Sequence, residues 1–373
     1  MTISIQQVPN AYRIPGSFMQ LDSAGIVGEG VPSVVLVGPR LSAGNAAQNE
    51  LVRIFADNDG DAYFGQGSAL AASCAAYKSV DTLSDVWAIG VDDHASGIAA
   101  SAIYTITGTS TAIGTVSTWI GDRLVTALIP SGSTAAAAML LVESAINADV
   151  KRYASAAADA GTPTLLTVTC RNDGPHGNHL MLRASHNCAG LTITLTGQDD
   201  AADAGTASST STASATSANP AYVWLQGGQT PPSVTAAISA LGDTRWHTVV
   251  WCFNDAASIS EMETEAERRW GALVQQEGLV FTAHSGQLAT LSGFGNARNS
   301  KHFECQGAGI SPTPPWIWAA DAASVDTTLA DYGAPREGQV FPNCEGARKD
   351  LRLKPDARNT LLFDGIATHT VAD

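Results

Sequence analysis

Two short apolar segments near the start of the chain enclose a segment rich in small residues. The first covers residues 34–37 and the second covers residues 85–91. Apolar runs of this length, bounded by turn residues, are typical of strands that are buried on both faces. Residues 68–77, which lie between them, have the composition and spacing of a buried helix. The order strand, helix, strand predicts a parallel pair joined by a crossover.

The same alternation of apolar strands and helices returns after Pro231-Pro232. Residues 248–253 and 279–283 are apolar and predict two further buried strands. The segment from about 258 to 270 predicts a helix, because acidic residues lie toward its start and basic residues toward its end, as the helix dipole favours. We interpret its glutamates as a solvated face, and these are Glu261, Glu263, Glu265 and Glu267.

From about residue 101 to residue 200 the apolar positions alternate with polar ones, which predicts half-buried strands. Gly121-Asp122 separates two of these segments as a hairpin turn, and Ser133-Thr134 can cap a helix. The predicted strands are 104–108, 114–122, 123–129, 165–170, 180–184 and 191–196, and the apolar helix positions are Met139, Leu140, Val142, Ile146 and Val150. The Ser/Thr/Ala-rich stretch from about 204 to 219 predicts a mobile surface loop or the tip of a β-ribbon.

These opposed periods predict an α/β (α+β multidomain) protein. We expect a discontinuous α/β core made of residues 26–100 and 226–373, with a β-rich domain of residues 101–225 inserted into it. Residues 1–25 are expected to form an arm. In that arm Ile3, Ile5 and Val8 alternate with polar positions, so the segment can pair within its own domain or add a strand to a neighbour's sheet.

Composition narrows the function. The chain has 20 Lys and Arg against 35 Asp and Glu, a net charge of −15. An acidic surface repels phosphate, which argues against a nucleic-acid partner and against binding to anionic lipid. No apolar run is long enough to insert into a membrane, and the N-terminus lacks the pattern of a signal peptide. We interpret the six cysteines as small buried hydrophobic residues.

The sequence offers two candidates for chemistry. Ser300 and His302 would suit a serine hydrolase, but no nucleophile elbow surrounds Ser300, and a distant acidic partner for His302 would be needed. A metal- or receptor-binding β-domain is the other alternative, based on His176, His179 and His186 with Cys170 and Cys188. Their spacing matches no common zinc pattern, so we interpret them as exposed turn histidines. The glycines at 25, 28 and 30 precede the first strand and cannot form a dinucleotide loop, so we expect neither a catalytic residue nor a cofactor or metal.

One segment resembles a known family. Arg298, Asn299, Ser300 and His302, then Gly307 and Ser311-Pro312-Thr313-Pro314-Pro315-Trp316, are similar to the RNSxH…G…SPTPPW stretch of Mu-like phage contractile tail sheath proteins. The resemblance implies that Arg298, Asn299, Ser300, His302, Pro314, Pro315 and Trp316 are structural. Shorter segments at residues 8–16, 64–68, 83–93 and 359–368 also resemble segments of the family and occur in the same order along the chain.

This resemblance implies a structural subunit of the virion tail, with no enzyme activity. Such subunits would stack as hexameric rings around an inner tail tube protein, bounded by a baseplate and a tail terminator, after assembly in the host cytoplasm. Contraction would drive the tube through the host envelope. The family's relatives continue past the segment that ends near residue 365, so we also expect this chain to be a shortened form. That form would be largely monomeric in dilute solution.

Overall fold

The computed structural model describes residues 32–200, 210–215, 220–298, 300–329 and 338–371. Ile3, Ile5, Val8 and Asn299 lie outside these residues. The described strands are β1 (Ser33–Pro39), β2 (Leu51–Ile54), β3 (Asp85–Val91), β4 (Ala99–Gly108), β5 (Gly114–Ile120), β6 (Arg123–Ile129), β7 (Ala154–Ala158), β8 (Leu165–Asp173), β9 (Met181–His186), β10 (Leu191–Gln198), β11 (Thr210–Ala215), β12 (Ala221–Trp224), β13 (Thr248–Trp251), β14 (Leu279–Ser285), β15 (Phe303–Gly309) and β16 (Ile366–Ala367).

Eight α-helices lie within the described residues. They are α1 (Asp59–Phe64), α2 (Ala69–Val80), α3 (Ala135–Asn147), α4 (Thr235–Ala240), α5 (Ala256–Trp270), α6 (Leu288–Asn296), α7 (Pro315–Thr328) and α8 (Pro355–Phe363). Short 3₁₀ helices cover Pro175–His179 and Lys349–Leu351. None of the described helices is both long and apolar enough to cross a membrane. The strands and helices together form a mixed α/β fold with two sheets.

The first sheet takes strands from both ends of the chain, in the order β16-β15-β14-β13-β1-β3-β2. All neighbours are parallel except β2, which runs antiparallel to β3 at one edge. β1 pairs with β13, so that Val35 lies opposite Val249. The crossover from β1 to β3 is therefore parallel as predicted, but it also contains β2 and α1, which the apolar pattern did not indicate.

Helices cover both faces of this seven-stranded sheet. Val34 and Leu36 of β1 pack in one core cluster with residues of α2 and α7, whereas Val35 and Val37 pack in another with residues of α5 and α6. Because successive side chains of a strand point to opposite faces, a fully apolar β1 supplies both clusters. This explains why the run Val-Val-Leu-Val shows no alternation with polar residues.

The second sheet lies entirely between β3 and β13 in the sequence, and its order is β6-β5-β9-β12-β10-β4-β8-β7, with β11 paired to β10. Its pairs are antiparallel, and Gly121 adopts a φ of 63° in the β5–β6 hairpin, which glycine tolerates. The two edge strands approach one another: the Arg123 guanidinium donates to the Lys151 carbonyl, and that of Arg152 to the Leu124 carbonyl, each at 3.2 Å. α3 contacts both β6 and β7, so the sheet curls around it.

Several predictions for this second sheet need correction. Thr134 caps α3 as expected, since its hydroxyl accepts from the Ala137 amide. Met139, Val142 and Ile146 are buried, but Leu140 is 57 % exposed and Val150 lies beyond the helix end at 50 %. Part of the Ser/Thr/Ala-rich stretch forms the strand β11, in agreement with the second of the two predictions, the tip of a β-ribbon. Most of the rest of the stretch lies outside the described residues.

Asn172 at the end of β8 joins the two sheets. Its side-chain oxygen accepts from the Ala69 amide at the start of α2, and its amide nitrogen donates to the Arg40 carbonyl. The carboxylate of Asp93, just after β3, accepts from the same amide nitrogen and from the backbone of Asp173 at 2.9 Å. One buried polar cluster therefore connects β1, α2, β3 and β8.

Burial raises the pKa of Asp93 from its ordinary value to about 7. A raised carboxyl pKa means that the folded state prefers the protonated acid, so stability falls as the pH rises from about 4 to about 7. We expect Asp93→Asn to gain about 1–2 kcal/mol relative to the parent at pH 8, and much less at pH 4. Denaturant unfolding at both pH values measures this, and an equal difference at the two would contradict it.

Candidate functional site

The first half of the signature, residues 298–302, connects α6 to β15 beside α5. Arg298 donates to Glu263 of α5 at 3.3 Å, and its guanidinium lies 5.0 Å from the centre of the Phe294 ring. The ion pair is largely shielded, since the two side chains are 15 % and 23 % exposed. Arg298 therefore fixes this loop to α5 and α6.

His302 makes the second link to α5. Its imidazole is almost completely buried, and its Nε2 lies 2.7 Å from a carboxylate oxygen of Glu267. The ring also packs on Trp270, with centres 4.8 Å apart. The hydrogen bond to His302 is the main cause that lowers the pKa of Glu267. The acidic partner that a hydrolase would need for His302 is thus present.

The hydroxyl of Ser300 does not complete such a triad. Its oxygen accepts from the backbone amide of His302 at 3.3 Å, and the Nδ1 of His302 has no hydrogen-bond partner among the described residues. A serine nucleophile requires its hydroxyl to donate to the imidazole that removes its proton. Ser300 instead forms a local turn, so the three side chains are close together without the connection that catalysis uses.

An open cleft of about 850 Å³ lies beside these residues. Its lining includes two acidic and two basic side chains, Glu263, Glu267, Arg298 and Lys301. The prediction of a solvated glutamate face on α5 holds for Glu261 and Glu267, which are exposed, and is wrong for Glu263 and Glu265, which are half-buried. Glu263 and Glu267 bind the signature loop, and the remaining two glutamates also have partners: Glu265 pairs with Arg268 and Arg269, and Glu261 accepts from Thr235.

The second half of the signature begins α7. Pro314 is the residue before the helix and Pro315 its first residue, where the missing amide hydrogen of proline costs nothing. The Ser311 hydroxyl donates to the Glu345 carbonyl at 2.6 Å and accepts from the Trp318 indole at 3.1 Å. The SPTPPW turn is thus tied to the helix that it starts and to a later segment.

Trp316 lies between the two sheets. It is 2 % exposed, and its ring makes edge contacts with Tyr153, at 5.7 Å between centres, and with His176 at 6.2 Å. Tyr153 and His176 belong to the part of the chain that forms the second sheet, whereas α7 packs on the first. The Trp316 carbonyl also accepts from Ser73 of α2. We call this contact region, together with Asn172, His179 and His284, the seam.

The loop histidines are not exposed, contrary to the sequence interpretation. His176 and His179 lie in the 3₁₀ helix and are 2 % and 1 % exposed, because this helix faces the first sheet. His186 instead contacts the Ala215 carbonyl at 3.0 Å. Burial raises the pKa of the Cys170 thiol to about 12 and also raises that of Cys188, which disfavours the thiolates that zinc binds. Within the described ranges, no three His, Cys, Asp or Glu residues are grouped to hold a metal.

Two comparisons by sequence find similar proteins. Residues 227–373 match the phage tail sheath protein central domain. The whole chain is similar to the Mu-like prophage FluMu tail sheath protein of Haemophilus influenzae, with 29 % identity over 382 aligned residues and 72 % of that protein covered. These two matches indicate a structural subunit of a phage tail sheath.

One solved structure, also of a sheath tail protein, can be aligned with most of this chain. The sheath tail protein of Desulfitobacterium hafniense aligns with 96 % of this chain and 72 % of its own length, at 13 % identity and a TM-score of 0.41. The sequence similarity to tail sheath proteins implies a component of the virion tail that assembles with itself, and it favours a structural role over an enzymatic one.

Proposed function

We propose that this sheath protein forms hexameric rings that stack around an inner tail tube protein, between a baseplate and a tail terminator. The similarity to the FluMu tail sheath protein along the full chain supports this most directly. Assembly would take place in the host cytoplasm before the tail joins the virion. Contraction would be mechanical, since an extended lattice that relaxes to a shorter one can drive the tube through the host envelope while each subunit moves nearly as a rigid body.

Within the subunit, we propose three parts: an arm of residues 1–25, an α/β core of residues 26–100 and 226–373, and an inserted β-rich domain of residues 101–225. The pairing of β1 with β13 supports the discontinuous core. Ile3, Ile5 and Val8 are the arm positions that would lie in a strand added to the sheet of a neighbouring subunit. Main-chain hydrogen bonds at the sheet edge would hold that strand.

The signature residues are proposed to be structural and not catalytic. Arg298 and His302 are engaged by glutamates of α5, and Pro314, Pro315 and Trp316 start α7 and fill the seam. The hydrolase alternative rests on the His302–Glu267 pair, and the metal- or receptor-binding alternative on the β-rich domain. Turnover of an ester or peptide that Ser300→Ala abolishes would establish the hydrolase, and stoichiometric bound metal would establish the metal site.

Negative-stain microscopy tests the assembly. The chain should be produced together with any sequence that its gene encodes beyond residue 373, and we expect rings or tubes with a central channel. Removal of residues 2–20 is expected to abolish the tubes, because the strand that links neighbours is lost. Ser300→Ala serves as the matched control and should form tubes like the parent. Tubes of normal length without the arm would contradict its proposed role, and an assembly without a channel would contradict the sheath function.

A further inference from the structure

The start of α8 carries two cations whose side chains pair with none of the described carboxylates. Lys354 precedes the helix and Arg358 ends its first turn, and most other cations of the described chain do form ion pairs. Residues 348–358 as a whole contain five Lys and Arg against two Asp, in a chain whose net charge is −15. Because the helix dipole disfavours cations near a helix N-terminus, these charges are unfavourable within the subunit. Their position indicates an acidic partner.

The C-terminal end of α8 exposes two large apolar side chains. Leu361 belongs to the core cluster that contains residues of α6, whereas Leu362 and Phe363 are 58 % and 85 % exposed. Since helical residues four apart share a face, Leu362 continues the row of Lys354 and Arg358. We call Lys354, Arg358, Leu362 and Phe363 the basic end. It lies at the β16 edge of the seven-stranded sheet, because α8 contacts β16.

The other edge of this sheet also exposes large apolar side chains. β2 is the last strand there, and Phe55, which follows it directly, is 67 % exposed. The antiparallel register pairs Ile54 with Val86, so that Phe55 lies close to the segment before β3. In that segment Leu83 is 86 % exposed. Two exposed apolar side chains therefore lie together at this edge.

The charge at the β2 edge is opposite to that of the basic end. Residues 55–61 contain three Asp and no Lys or Arg. Two nearby cations are already paired with other carboxylates at 2.6 Å each, in the ion pairs Arg53–Asp85 and Lys151–Asp61. The exposed carboxylate of Asp57 makes no ion pair within the part of the chain that the structure describes. We call Phe55, Asp57 and Leu83 the acidic end.

The two ends cannot meet within one subunit. They lie at opposite edges of a seven-stranded sheet, and at about 4.8 Å between neighbouring strands these edges are about 29 Å apart. A second copy of the chain, however, can bring its acidic end to the basic end of the first. Such a contact is heterologous, so each subunit keeps one end open for the next copy and the association continues in one direction.

We propose that the basic end of one subunit docks on the acidic end of a second copy of this chain. The cations of α8 face Asp57, and the exposed apolar side chains of the two ends pack against each other. Aromatic and arginine side chains are common at the centre of protein–protein contacts. The proposal rests on the proposed self-assembly of the sheath protein, and it adds a contact that does not use the arm.

This contact is weak by itself, because it involves only one helix and one sheet edge. Interfaces that bury less than about 1,200 Å² have low affinity, and we expect a dissociation constant between about 10 μM and 1 mM. Such an affinity agrees with a monomer in dilute solution. In a lattice, where other contacts hold the copies side by side, the effective concentration is of millimolar order and the contact forms.

Sedimentation equilibrium of the full chain at concentrations up to about 1 mM measures this association. Lys354→Glu and Asp57→Lys should each weaken it about tenfold, because like charges then face each other. Each variant keeps the end that the other has lost, so an equal mixture of the two should form heterodimers with the parent's affinity. Lys354→Glu does not weaken the fold, since a carboxylate is favourable at the start of a helix.

Arg245→Glu and Asp243→Lys are the matched controls. They change the net charge by the same amounts, but they lie in the loop before β13, in the middle of the sheet. Both should associate like the parent. Phe363→Ser tests the apolar part without a change of charge, and it should also weaken the association.

A parent that stays monomeric over this range would overturn the proposal, and so would charge variants that associate like the parent. A mixture that associates no better than either variant alone would exclude the head-to-tail arrangement. Deletion of residues 2–20 should leave the association unchanged, and an increase would assign the acidic end to the chain's own arm instead. If the longer gene product forms tubes equally well with Lys354→Glu or Asp57→Lys, this contact is wrong while the sheath function stands.

Discussion

Trp316→Ala is expected to lower the free energy of unfolding by about 3–5 kcal/mol, the usual cost of removing a large aromatic side chain from a core. Trp316 is 2 % exposed and contacts Tyr153 and His176 across the seam. The cavity would therefore open between the two sheets and not within one of them. Denaturant unfolding measures the loss, and limited proteolysis near residues 92–98 and 225–234 reports whether the β-rich region has come away.

Trp251→Ala is the matched control for this prediction. Trp251 is also fully buried, but it lies on β13 and packs against Phe253 in the other core cluster. We expect a similar loss of stability without faster cleavage at the two connecting segments under native conditions. Identical cleavage patterns in the two variants would show that Trp316 has no special part in holding the regions together.

Gly67→Ala is expected to destabilise the chain by about 2–4 kcal/mol, because it combines backbone strain with a steric clash. Gly67 adopts a φ of 85°, and an added Cβ would lie 2.5 Å from the Arg152 carbonyl oxygen and 2.8 Å from that of Val150. Those oxygens belong to the loop before β7, which contacts α1 through the ion pair of Lys151 with Asp61. Thermal or denaturant unfolding measures the loss.

Gly132→Ala separates the two causes. Gly132 has nearly the same φ, 84°, but an added Cβ would have no atom within 4 Å. This substitution should cost only the strain, about 1 kcal/mol. If the two alanine variants were equally destabilised, the close approach of Gly67 to residues 150–152 would have no energetic importance.

The pattern of apolar and polar positions predicted those strands whose sequence is determined mainly by how far they are buried. The apolar run at 34–37 and the alternation at 123–129 became β1 and β6, because complete burial and half burial leave different patterns. β7 was missed because Ala154–Ala158 consists of small residues that carry little signal for a strand. β12 was missed because it has only four residues and follows the Ser/Thr/Ala-rich stretch.

The surroundings of the candidate site could be predicted less well, since they depend on contacts between distant segments. The motif indicated Arg298 and His302, but Glu263 and Glu267 are 35 residues away, and their glutamate-rich helix looked solvated in isolation. The burial of His176 and His179 was missed for the same reason. A Gly/Pro-containing loop is usually at the surface, and only the docking of the two sheets covers this one.

The position of β1 has a consequence for how the chain folds. During synthesis β1 emerges early and can pair with β3, but its other neighbour, β13, follows only after every strand of the second sheet has been made. Until then the backbone groups along the edge of β1 that will face β13 are unpaired, and such an edge is prone to pair with other chains. The β-rich region consists of pairs that are complete within residues 99–224 and can form first. Closure of the central sheet by β13 is then the late, slow step, because it joins Val35 to a residue more than two hundred positions away.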